Sequence, residues 1–134
     1  MKEGTRHLLE KAERAIQAAE VLLAGTGAEF AAGRAYYAMF YTAEGLLHER
    51  DQEFGKHGAL HAAYGKVFAK SGLLDPKFHR WLINAFDVRL QEDYDSETLV
   101  SSEQVEEMLE QARTFLAAAR EFLSKEEQPE LPST

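Results

Sequence analysis

Two groups of side chains in this 134-residue chain have types and spacing suited to chemistry. The first is Arg34, Tyr37, Tyr41, Glu44 and His48, which recur every three or four residues and so share one side of a helix. The second is Arg89, Asp93 and Tyr94. An arginine beside a group that exchanges protons suits RNA cleavage, because the guanidinium can face the charge that builds on the phosphate oxygens while its neighbour handles the proton. The same residues also admit a structural reading, in which Arg89 pairs with Glu44 or Asp93 and the network joins two helices. His57 and His61, four residues apart, have the spacing of a metal-binding pair on a helix. No Glu lies between them as in a zinc protease, and no third ligand is evident, so local hydrogen bonding accounts for them and neither metal nor cofactor is expected.

Residues 28–50 must position the first group. At 100° per residue, Ala32, Tyr36, Met39, Phe40, Ala43, Leu46 and Leu47 form a wide apolar face, with the polar-headed stripe and Gly45 beside it. Only Ala35, Ala38, Thr42 and Glu49 are left for solvent. Such a helix is expected at the centre of a bundle. Ahead of it, residues 5–24 read as a one-faced helix carrying Leu8, Leu9, Ala12, Ala15, Ile16, Ala19, Leu22 and Leu23. Gly25-Thr26-Gly27 then supplies a stop and a cap, making the first two helices antiparallel neighbours.

After a polar turn at 51–56, Leu60, Tyr64, Val67, Phe68 and Ser71 repeat at helical spacing up to Gly72. Asp75-Pro76 is a helix start signal, followed by Phe78, Trp81, Leu82 and Ala85 on the inward side, with Arg89 in line with them. Ser101 and Ser102 offer caps to a last helix whose stripe is Val105, Met108, Leu109, Ala112, Phe115, Leu116, Ala119, Phe122 and Leu123. Nothing reads as a strand. The expected fold is all-α, an antiparallel up-and-down bundle of four to five helices over residues 1–126, with an acidic, Pro-containing, disordered tail at 127–134.

Composition narrows the function. There is no cysteine, which removes disulfides, thiolate metal sites and a Cys nucleophile. The formal charge of −8, concentrated toward the C-terminal end, argues against a surface that coats nucleic acid, while leaving room for a small basic pocket. No phosphate-cradling glycine loop, Gly-x-Ser-x-Gly elbow or Glu-x-x-His pair is present. With no signal-peptide pattern and no long apolar run, the protein is expected to be soluble and cytoplasmic, without a membrane partner.

Three stretches carry a family likeness. Gly-Arg-Ala-Tyr-Tyr-Ala-Met-Phe-Tyr-Thr-Ala-Glu-Gly-Leu-Leu at 33–47, Gly-Lys-His at 55–57 and Asp-Val-Arg-Leu-Gln-Glu-Asp-Tyr-Asp at 87–95 resemble the HEPN domain, most closely its small stand-alone, uncharacterised subgroup. The resemblance covers nearly the whole chain. It implies a helical bundle, a homodimer, and a toxin–antitoxin-type pairing with a minimal nucleotidyltransferase.

Many HEPN proteins are metal-independent ribonucleases whose motif is an Arg, four to six residues, then a His. By resemblance the motif Arg is Arg89, and the His position is occupied by Tyr94. A tyrosine, with a pKa near ~10, donates a proton at neutral pH but is a poor base. The expectation is therefore a protein that binds RNA, nucleotide or its partner, with weak or no ribonuclease activity. Arg89 and Tyr94 are its catalytic candidates, and Arg34, Tyr37, Tyr41, Glu44, His48, His57 and Asp93 its polar network. The alternatives are an RNA endonuclease using Arg89 with Tyr94 or a nearby His, and a structural dimerisation module.

Overall fold

The computed structural model describes residues 1–25, 27–94 and 100–128, with the backbone alone at 93 and 94. The chain forms α1 (Glu3–Ala24), α2 (Ala28–Glu49), α3 (His57–Tyr64, continued by a π-helical turn at Gly65–Ala69), α4 (Lys77–Tyr94) and α5 (Ser102–Glu127). No strand occurs among the described residues, in keeping with an all-α bundle. Thr26 and the tail at 129–134 lie outside the described residues.

Local signals set the helix ends. Ser101 Oγ accepts the Gln104 N–H at 3.1 Å, and Asp75 Oδ1 accepts the Lys77 N–H at 2.9 Å. Each satisfies an amide that the first helical turn leaves open, worth about 1 kcal/mol. Gly72, at φ 78°, takes the left-handed conformation that ends the α3 segment at no steric cost.

α1 packs mainly on α2. The pair is antiparallel, since Thr5 Oγ1 donates to Glu49 Oε2 at 2.7 Å at one end while Gly27 N–H donates to Leu22 O at 3.1 Å at the other. Ala35, Ala38 and Thr42, expected in solvent, are fully buried, and Glu49 is half-buried against α1. The reason is size: helices approach most closely where side chains are small, as at Gly45, where an added Cβ would sit 3.2 Å from Leu9 Cδ2. The outward side of α2 is instead the polar-headed stripe, with Arg34 exposed and Tyr37, Tyr41, Glu44 and His48 half-buried.

α5 closes the bundle along α1 through Glu13–Arg120 and Glu20–Arg113, both at 2.8 Å. Its C-terminal end meets that of α2 through a two-bond Arg50–Glu126 pair at 2.8 and 3.0 Å. These pairs are solvent-accessible and worth at most about 1 kcal/mol each. The apolar stripe of α5 does more: Val105, Ala112, Phe115 and Ala119 are fully buried, whereas Phe122 is only partly covered.

The 50–56 link positions the site. It runs back beside α2, with Glu53 and Phe54 facing Glu44 and His48 across a shared cavity. As a result α3 begins next to the middle of α2, where the His57 ring stacks on Phe40 with centroids 4.4 Å apart.

Candidate functional site

Tyr36 sits on the apolar face of α2 and is fully buried, so its hydroxyl needs an internal partner. It has two: His57 Nδ1 and His61 Nε2, each 2.8 Å from the phenol oxygen. The i, i+4 spacing on α3 brings both imidazoles to that one oxygen. One hydroxyl has one proton, so it donates to one ring nitrogen and accepts from the N–H of the other; two neutral histidines must therefore hold complementary tautomers. Phe40, Tyr37 and Phe86 enclose the group, with Phe86 5.3 Å from Tyr36 and 4.9 Å from His61 between ring centroids.

α4 delivers Arg89. Its guanidinium lies 5.0 Å from the centroid of Tyr37 and 5.7 Å from that of Tyr36, both within cation–π range. Arg34 approaches the Tyr37 ring at 5.2 Å, so this one aromatic ring carries two arginines. The result is a cluster in which half-buried Arg89 and His57 meet buried Tyr36 and His61.

The electrostatics follow from burial and from Arg89. Burial, followed by the charges of His57 and His79, holds His61 at about 4, with Asp87 opposing them. His57 is also pushed below its ordinary value, first by burial and then by the Arg89 charge. Burial drives the Tyr36 phenol upward, with Arg89 partly offsetting it. At neutral pH both imidazoles are therefore uncharged and Tyr36 keeps its proton. Such a group can accept protons, while Arg89 supplies the standing positive charge an anion needs.

The remaining sequence candidates divide. Tyr41 stacks on Tyr37 at 5.6 Å and takes Lys11 over its ring at 4.5 Å, extending the aromatic surface away from Arg89. Glu44 and His48 lie elsewhere, on a cavity of about 530 Å³ shared with Gln52, Glu53 and Phe54. His48 Nδ1 is 3.2 Å from Glu53 Oε1. Glu44 is pushed above the usual carboxylate range by burial, with Lys11 opposing; the charges that act on it are Lys11, Glu53 and His48. Glu44 lies two turns along α2 from the Tyr36 and Tyr37 rings over which Arg89 sits, and Arg89 is not among the charges that act on it. The side chains of Asp93 and Tyr94 lie outside the described residues.

Comparison with known proteins gives a consistent result. The chain matches the HEPN domain over residues 5–122. It belongs to the HEPN family. A relative named "Putative toxin MJ0142", from Methanocaldococcus jannaschii, is 31% identical over 87% of this chain and 79% of its own length. "UPF0332 protein glr0978", from Gloeobacter violaceus, is also 31% identical, over 88% of this chain and 94% of that protein. "Putative toxin MJ0605", from M. jannaschii, is 26% identical over 93% of this chain and 92% of its own.

In this HEPN chain the residues that sequence reasoning missed are His61 and the hydroxyl of Tyr36. The signal was the i, i+4 histidine pair, which points toward α2 only once the 50–56 link is known to run back. Among the described residues no group of three His, Asp or Glu side chains is arranged to hold a metal ion, and both histidines turn a nitrogen to the same phenol. No described helix is long and apolar enough to cross a membrane.

Proposed function

We propose that this protein is a toxin-like HEPN protein that engages RNA through the Arg89–Tyr36–His57–His61 group. It works as a homodimer in the cytoplasm with a minimal nucleotidyltransferase partner, and cleaves RNA slowly or not at all by itself. The observation that carries this reading is Arg89 seated over Tyr37 and Tyr36, beside the hydroxyl that joins the two histidines. The toxin names of two relatives and the Arg89–Tyr94 spacing support it. Slow chemistry is expected from the direction of these shifts: imidazoles held below their ordinary value carry almost no proton to donate at pH 7, and a phenol is a poor base.

A second reading has its own support in the Arg89 charge acting on His57. Here neutral His57 takes the proton of an attacking 2′-hydroxyl and returns it to the leaving 5′-oxygen, while Arg89 faces the charge on the phosphate oxygens. One gel separates the two. Mixed single-stranded RNA is incubated, with EDTA or with magnesium, with wild type, Arg89→Ala, His57→Ala and Tyr94→His. Trace cleavage that vanishes in Arg89→Ala and rises in Tyr94→His supports the leading reading. Strong wild-type cleavage that needs both Arg89 and His57 moves the conclusion to the endonuclease. Cleavage indifferent to Arg89 sinks both.

A further inference from the structure

On the outer side of the α3–α4 hairpin lies an open groove of about 720 Å³ whose polar lining is Lys66, Lys70 and His79, over a floor that includes Ala62, Ala69 and Pro76. No carboxylate lines it, in a chain with 23 acidic and 15 basic residues. Some cations of the molecule are paired, since Lys2, Arg50, Arg113, Arg120 and Lys125 make ion pairs, while others, such as Lys11 and Lys77, lie over aromatic rings instead. Among the described residues Lys66 and Lys70 make none. A helix that leaves both lysines of an i, i+4 pair without an acid on an acidic protein maintains a local positive field.

The groove is also built by the fold. The π-helical turn closes with Lys70 N–H donating to Gly65 O at 2.8 Å, and such turns in helices occur frequently at functional sites. Gly65 lets α4 come close: an added Cβ would lie 2.7 Å from His79 Nε2. The ring of His79 is thereby held against the α3 backbone, beside Tyr64, whose hydroxyl is buried with no hydrogen-bond partner among the described residues. Lys66 stands nine residues after His57 on α3, which is about 13 Å along the axis and half a turn around it.

We propose that this groove binds the phosphodiester backbone of single-stranded RNA, with Lys66, Lys70 and His79 contacting the strand that the Arg89 group engages on the other side of α3. This rests on the RNA reading of the Arg89 site and adds the path of the strand: it crosses α3 rather than following it. Open cationic grooves hold single strands through the backbone with little sequence preference, which suits contacts made by lysine point charges rather than by base-reading forks.

The test is fluorescence anisotropy with a labelled, cleavage-resistant 2′-O-methyl single-stranded RNA of mixed sequence, titrated across a range of salt. Lys66→Ala/Lys70→Ala is expected to weaken binding by roughly tenfold at low salt and to lower the slope of log K against log salt by about 1.4, the value for two lost contacts on a single strand. Lys2→Ala/Lys125→Ala, which removes equal charge elsewhere, should stay within about twofold of wild type. An equal loss in that control, an unchanged groove variant, or no RNA binding by wild type overturns the proposal. So does a groove variant that binds RNA normally but no longer binds a nucleotidyltransferase, since the groove would then be a protein surface. Loss of binding in Arg89→Ala with no effect of the lysine pair leaves the Arg89 reading standing and removes the groove. The reverse pattern removes the Arg89 reading and, with it, the path across α3, so it overturns the proposal while leaving RNA contact by the lysines alone.

Discussion

Lowering the pH from 7 to 5 is expected to destabilise this protein through His61. In the unfolded chain a histidine titrates near ~6.5, whereas folded His61 is held at about 4. Between those values the unfolded state binds the additional proton, so stability is complete above the unfolded value and is lost as pH falls toward the folded one. The loss from pH 7 to pH 5 for this shift is about 2 kcal/mol, approaching about 3 kcal/mol at still lower pH. Other groups contribute: His57 adds to the loss, while Glu44, whose carboxyl is raised, acts in the opposite sense. His61→Gln isolates the term, because a glutamine amide can reach the Tyr36 hydroxyl without titrating. Urea unfolding of both proteins at pH 7 and pH 5 is the assay, and the wild type should lose about 2 kcal/mol more than the variant. Parallel pH profiles would refute the claim that His61 is buried uncharged.

Tyr36→Phe keeps the ring contacts but removes both 2.8 Å hydrogen bonds and strands a nitrogen of buried His61. It should cost about 2 to 3 kcal/mol in urea unfolding, and a loss below about 0.5 kcal/mol would mean that the hydroxyl bridge is not formed. Light scattering should give a homodimer and, with the nucleotidyltransferase added, a larger complex. A monomer at high micromolar concentration, with no shift on mixing, would remove both partners from the proposal.

Helices and their ends were legible in the sequence because they depend on local chemistry. The caps at Asp75 and Ser101 and the stop at Gly72 need only neighbouring residues. Side assignment on α2 was harder. Ala35, Ala38 and Thr42 carry little hydrophobic weight, yet small size is what let α1 approach them, so periodicity ranked the aromatic stripe as the more buried one. The site was legible in part. Arg89 stood out as inward, but which rings of α2 it meets depends on how α4 packs against α2, which no local pattern records. The π-helical turn at Gly65–Ala69 was hidden because it lies inside a stretch that reads as one continuous helix.

Tyr36 belongs to two structures at once. Its ring fills the middle of the bundle core with no solvent exposure, and its hydroxyl is the joint of the site. Local opening of a protein begins where few buried contacts resist it, and this joint lies at the opposite extreme. The site therefore shares the exchange protection of the core: its amides on α2 and around His61 should open only when the whole bundle unfolds. Loosening the Arg89 patch would thus require melting the fold that carries it.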